Sequence, residues 1–229
     1  MEVINMKMKA LALLMAVLTL TAVPVAYAFP APVKFQRSIP YTVFNTTSAT
    51  VYDVESPITA PFEILIVNSL TYDSTGTKGA IIKIQDAKTG SMNAFEIVVY
   101  NTKAVDVNYT DKVTGTTTRI ATVPGTDNDK IPREISIENT GTAVSIYDLT
   151  NNKQIMKDFV LPTSFNIVAV SAYGNGTEVA TDGYVTVYAG GLNPSKNVAV
   201  SMNSFIPIIG AVVGLSVIIA VVNKLKRRV

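Results

Sequence analysis

Three observations predict an all-β fold for the middle of this chain. Residues 41–189 are rich in Thr, Val, Ile, Tyr and Asn with scattered Gly, a strand-and-turn composition. Short runs of alternating apolar and polar residues recur at the spacing of an antiparallel sheet protein. No long stretch of helical periodicity interrupts them. A dozen strands without a helix predict two packed antiparallel sheets, a β-sandwich. Apolar runs near both ends add an export signal and one C-terminal transmembrane helix.

The elements follow in order. Residues 1–28 read as a signal peptide. Ala10 to Val23 is apolar but only 14 residues long, short of the ~20 needed to cross a bilayer. It follows Lys7 and Lys9, and Pro24 closes it. Ala26-Tyr27-Ala28 fits an A-x-A pattern, with cleavage before Phe29. Residues 29–40 carry Pro30, Pro32 and Pro40 and read as an extended leader.

Within 41–189, strands are predicted at 41–45, 50–54, 62–69, 80–86, 94–100, 104–109, 117–123, 134–138, 143–149, 154–161, 165–171 and 184–188. The turns have a chemical basis. Asp73-Ser-Thr-Gly76, Ala87-Lys-Thr-Gly90, Asn139-Thr-Gly141, Tyr173-Gly-Asn-Gly176 and Asn151-Asn152 supply Gly or Asn where φ must turn positive. In Glu134-Ile-Ser-Ile-Glu138 and Val144-Ser-Ile-Tyr147 the alternation puts Ile135, Ile137, Val144 and Ile146 on the core face.

Residues 190–204 form a linker, 205–223 the span and 224–229 a basic cytosolic tail. Phe205 to Val222 is 18 apolar residues, with no charge between Lys196 and Lys224. The four cations among the tail residues favour the cytosolic side, leaving the N-terminal side outside the cell. Gly210 and Gly214 form a G-x-x-x-G, which opens a groove for lateral homo-oligomers.

Composition narrows the chemistry. Without residues 1–28 and 205–229, 13 cations and 16 anions remain, a net charge of −3. No basic stripe is left, which argues against nucleic acid. The chain has no His, Cys or Trp. That removes His-based triads, the usual zinc sites, disulfides and the commonest sugar-stacking ring. Tyrosine is the remaining candidate for such a surface. Asn45, Asn108 and Asn175 each open an N-x-[ST] sequon outside the membrane.

Residues 134–189 resemble the final third of a concanavalin-like jelly roll of the laminin-G type. The likeness rests on Ile135-Ser-Ile-Glu-Asn-Thr-Gly-Thr-Ala-Val-Ser-Ile-Tyr147 and on the closing strand Gly183-Tyr-Val-Thr-Val-Tyr188. It implies a jelly-roll-like sandwich that binds glycans or proteins through its loops, sometimes with calcium. Glu134-Ile-Ser-Ile-Glu138 also looks like the E-I-D-I-E strand of retaining β-glucanases, with Ser136 in place of the central Asp. That likeness implies Glu134 as nucleophile and Glu138 as acid/base, with carboxyls ~5 Å apart. Two glutamates on the wet face of an amphipathic strand explain the same pattern.

Asp127 and Asp129, after Pro124-Gly125, offer oxygen ligands for Ca²⁺, though no EF-hand pattern surrounds them. No other cofactor is expected. The chain is therefore expected to be a single-pass cell-surface protein, held in the lipid bilayer and not an enzyme. Its sandwich would serve adhesion, glycan binding or envelope structure, with glycans or other envelope proteins as partners. One alternative is a filament or lattice subunit that donates residues 29–40 and 46–51 to a neighbour's sheet edge. Another is a jelly-roll glycoside hydrolase.

Overall fold

The computed structural model describes residues 30–161 and 164–192. These belong to one of the chain's two compact units. The expected signal segment with Ala26, Ala28 and Phe29, the expected span with Gly210 and Gly214, and residues 224–229 lie outside the described residues. Among those described, no helix is long and apolar enough to cross a membrane.

The chain enters as β1 (Val33–Pro40) and makes one helical turn, α1 (Tyr41–Phe44). There follow β2 (Thr50–Ile58), β3 (Phe62–Asn68), β4 (Thr71–Tyr72), β5 (Gly79–Gln85) and β6 (Ala94–Tyr100). Next come β7 (Val105–Thr110), β8 (Thr117–Val123), β9 (Glu134–Asn139), β10 (Ala143–Asp148) and β11 (Lys153–Val160). β12 (Ile167–Gly174), β13 (Ala180–Asp182) and β14 (Tyr184–Gly191) complete the fold. Two six-stranded antiparallel sheets result, ordered β1-β14-β3-β9-β10-β11 and β2-β12-β5-β6-β7-β8. β4 and β13 pair separately.

Alternation decides what each sheet buries. The first sheet sends Ile64, Ile66, Ile135, Ile137, Val144, Ile146, Val185 and Val187 inward, and the second sends Ile82, Ile84, Phe95, Ile97, Val105 and Val107. At one end Phe95 is the hub of an aromatic cluster. Its ring lies 5.1 Å from Tyr109, 5.4 Å from Phe165 and 6.0 Å from Phe159. Each buried Phe contributes about 1.5–3 kcal/mol by leaving water.

β4 and β13 were not expected as strands, Gly174 and Gly176 do not take positive φ, and two longer segments also depart from the sequence reading. Residues 33–40 are extended, as a leader would be, but they form an edge strand paired along β14. The piece that strand exchange would donate is thus bonded to its own chain. Residues 41–44, expected as a strand, form a helical turn instead. The turn drops Phe44 fully into the core. It also brings the Phe44 carbonyl against Gly174, where any Cβ would overlap that oxygen. Tertiary packing here overrides the strand preference of Tyr-Thr-Val-Phe. Gly76, Gly90, Gly141 and Asn152 take positive φ, as the turn chemistry predicts.

Candidate functional site

The second sheet carries its polar chemistry outward. Register alignment draws one transverse row across all six strands: Val51, Ser171, Lys83, Glu96, Asn108 and Arg119. In each strand these positions alternate with core residues, so the row lies on the outer face. A parallel row runs from Tyr173 through Ile81 and Val98 to Asp106 and Thr122.

Glu96 is the centre of the first cluster. Lys83 Nζ lies 3.4 Å from Glu96 Oε1. The Tyr173 hydroxyl donates to the same oxygen at 3.0 Å, and Asn108 Nδ2 donates to Oε2 at 3.4 Å. Beside it the Ser171 hydroxyl donates to Gln85 Oε1 at 2.7 Å. Asp106 is the centre of the second cluster. It accepts from the Tyr100 hydroxyl at 3.1 Å and the Thr122 hydroxyl at 2.8 Å, with Arg119 at 3.3 Å. The Glu96 side chain is 14% exposed and that of Asp106 8%. These acceptors are thus held by neighbours rather than left to water.

Electrostatics fixes the roles. Burial, reinforced by the charge and hydrogen bond of Glu96, pushes the Tyr173 phenol well above its ordinary range. Burial and then the Asp106 charge push Tyr100 up too. Both rings keep their protons and act as donors. Lys83 and Arg119 each have a carboxylate beside them, so the face is charge-balanced, and it carries two tyrosine rings. A 370 Å³ depression opens next to it, lined by Val51, Lys83, Gln85, Lys88, Ser171 and Tyr173 among others. A second, of 790 Å³, runs along the open edges of β1 and β2, where the Arg37 guanidinium sits 4.7 Å above the Tyr52 ring.

The residues singled out in the sequence lie elsewhere, apart from Asn108. Glu134, Ser136 and Glu138 share the outer side of β9 in the first sheet, since Ile135 and Ile137 face the core. Four residues of strand separate the two glutamates by ~13 Å of backbone. Glu138 stands across from Glu63 of β3. Burial raises the pKa of Glu134, whose Oε2 has no hydrogen-bond partner among the described residues. Neither depression is lined by Glu134 or Glu138.

Asp129 Oδ2 is taken by Lys153 Nζ at 2.6 Å and by the Thr126 N–H and hydroxyl at 2.7 and 2.8 Å. Those bonds hold its pKa down at about 2. Asp127 offers its backbone carbonyl to Lys103 at 3.0 Å. Among the described residues no group of three or more acidic side chains gathers to hold a metal.

The three sequon asparagines are all hydrogen-bonded within the fold. Asn45 exchanges two 2.9 Å bonds with the Ala180 backbone. Asn108 lies in the Glu96 cluster. Asn175 accepts from Gly79 N–H at 2.8 Å and donates to the Thr77 carbonyl at 3.3 Å.

Lys83, Glu96, Asp106 and Arg119 did not stand out in the sequence. Their signal was a polar residue at alternating positions of four consecutive apolar strands.

No family model matches the chain, and no curated protein matches it. Solved structures do. A fructofuranosidase from Schwanniomyces occidentalis is 12% identical at a TM-score of 0.41, over 68% of this chain and 33% of that one. The chain thus spans about a third of that enzyme's length. The Crh5 transglycosylase is 15% identical at 0.42, over 69% and 73% of the two chains. The carbohydrate binding module CBM66 from Bacillus subtilis is 11% identical at 0.40, over 62% and 79%. These are likenesses of β-sandwich arrangement. They correct one expectation, that the domain is not an enzyme. A fructofuranosidase and a transglycosylase stand among the structures it resembles.

Proposed function

We propose that the chain is a membrane-anchored surface protein whose sandwich binds glycans on the outer face of the second sheet. One observation carries the reading: the rows through Glu96 and Asp106 join two carboxylates, an amide, two cations and two tyrosine donors on one face. Sugar hydroxyls are recognised by such fixed acceptors and donors, with aromatic rings packing on the sugar's apolar side. Paired charges suit a neutral polyhydroxylated ligand better than a polyanion. Export and anchoring rest on residues 1–28 and 205–229 as read from the sequence.

The test is a glycan array probed with the full chain in detergent. Glu96→Ala and Tyr173→Ala should each abolish the signal, while Glu138→Gln on the other sheet should leave it unchanged. A signal that survives both of the first two substitutions would refute this face as the site.

A second reading, a glycosidase of the inverting type, is favoured by the placement of Glu96 and Asp106. They are diagonal neighbours on adjacent strands, which sets the two residues ~7–8 Å apart across the sheet. Inverting enzymes keep their carboxyls ~6.5–9.5 Å apart. Release of reducing ends from any array-positive glycan, lost in Glu96→Gln, distinguishes this reading from simple binding.

A further inference from the structure

We infer that the end of the sandwich from which the chain leaves β14 rests on the lipid surface, seated by Val33, Val113 and Val160. This inference depends on the membrane-anchor reading above.

Among the described residues five large hydrophobic side chains are exposed, and three of them lie at that end. Val113 is 79% exposed, Val160 72% and Val33 43%. Register places them. Gly191 stands opposite Phe62, and Phe62 opposite Asn139. Asn139 pairs with Val144, and the adjoining Ala143 with Val160. Val33 pairs with Gly190. Phe159 packs 5.3 Å from Tyr109, which brings the β7–β8 turn and its Val113 to the same end.

The three valines are spread rather than clustered. Val33 and Val160 belong to the two edge strands of the first sheet, and Val113 to the far edge of the second. Each has an exposed lysine nearby in sequence: Lys34, Lys112 and Lys157. An apolar tip with a cation beside it suits the bilayer interface, where the side chain enters the acyl boundary and the ammonium meets headgroup phosphate.

The position of the chain's exit selects the occupant. Twelve residues separate Leu192 from Phe205, where the apolar run begins. They reach at most ~45 Å. Whatever the sandwich rests on at this end lies within a short tether of the bilayer. Single exposed valines are ordinary on a protein surface; here three of the five exposed large hydrophobics among the described residues share the end from which the chain leaves.

The chain has no cysteine, so single substitutions label one site each. Full chains carrying Val33→Cys, Val113→Cys, Val160→Cys, Asn128→Cys or Val213→Cys would be labelled with a polarity-sensitive dye. They would then be reconstituted into phosphatidylcholine vesicles with brominated acyl chains. Asn128 lies in the β8–β9 loop at the opposite end, and Val213 lies inside the apolar run. Dyes at 33, 113 and 160 should lose emission to the brominated lipid, as side chains seated at the acyl boundary would, and the dye at 128 none. Quenching at 213 with none at the three valines would overturn the inference and leave the anchor standing. An unquenched probe at 213 would refute the anchor and this inference together.

Discussion

Removing the Asp106 carboxylate measures how the outer face of the second sheet is held. Asp106→Ala deletes an acceptor that binds two hydroxyls, from Tyr100 and Thr122, and one guanidinium. A hydrogen bond to a charged group contributes about 1.5–3 kcal/mol when well buried, and about 1 kcal/mol where water can replace the partner. Both hydroxyls lie at a partly open surface, so ~1–1.5 kcal/mol each is the appropriate range. Arg119 is 62% exposed, so its ion pair adds only ~0–0.5 kcal/mol. The sum is about 2–3.5 kcal/mol. For a domain of this size a loss of 1 kcal/mol lowers Tm by ~2–4 °C, giving a drop of roughly 4–14 °C. Urea unfolding of the full chain in mild detergent, followed by circular dichroism, should show a lower midpoint with an unchanged m-value. Arg119→Ala should stay within about 0.5 kcal/mol of wild type. If Asp106→Ala also stayed within that margin, or if Arg119→Ala cost as much, the hydroxyl pair would not be what holds this face.

Three further outcomes are expected. Gly174→Ala should destabilise by more than ~2 kcal/mol, because its methyl overlaps the Phe44 carbonyl and the helical turn must shift; thermal unfolding reads this. Asn45→Ala should cost ~1–3 kcal/mol by leaving the Ala180 N–H and carbonyl without their partner, again seen as a lower Tm. Asp129 has a depressed folded pKa of about 2, so its contribution is full above the ordinary carboxylate pKa and fades as pH falls toward 2. Asp129→Asn should therefore be less stable than wild type at pH 7. In a pH series of melts the gap should narrow between about pH 4 and 2, and a constant gap would contradict the linkage.

The sandwich was legible because alternation is local. Ala94–Tyr100 and Thr117–Val123 occur at the residues their patterns predict, and Ile135, Ile137, Val144 and Ile146 all face the core. The first strand was hidden by its prolines. Pro30, Pro32 and Pro40 bracket a segment with only Phe35 and Ile39 packed on the core, as an edge strand allows. The helical turn at 41–44 was hidden by propensity, since its position is set by Phe44 and Gly174, 130 residues apart. The candidate site could not be read from spacing alone. Tyr173 reaches Glu96 across 77 residues, and Ser171 reaches Gln85 across 86. Only the pairing of β12 beside β5 brings them together. The motif at 134–138 drew attention by its likeness to the E-I-D-I-E strand of retaining β-glucanases, a pattern that lies within one strand and so is visible in the sequence.

The position of β14 has a mechanical consequence. It lies between β1 and β3, antiparallel to both, with seven paired residues on each side. Tension applied at Gly191 pulls the strand along its own length, and ladder hydrogen bonds run across that direction. Such a load falls on both rows of bonds together instead of peeling them one at a time. Under the proposed anchoring, a pull from the membrane side would therefore load a strand of the first sheet braced on both edges.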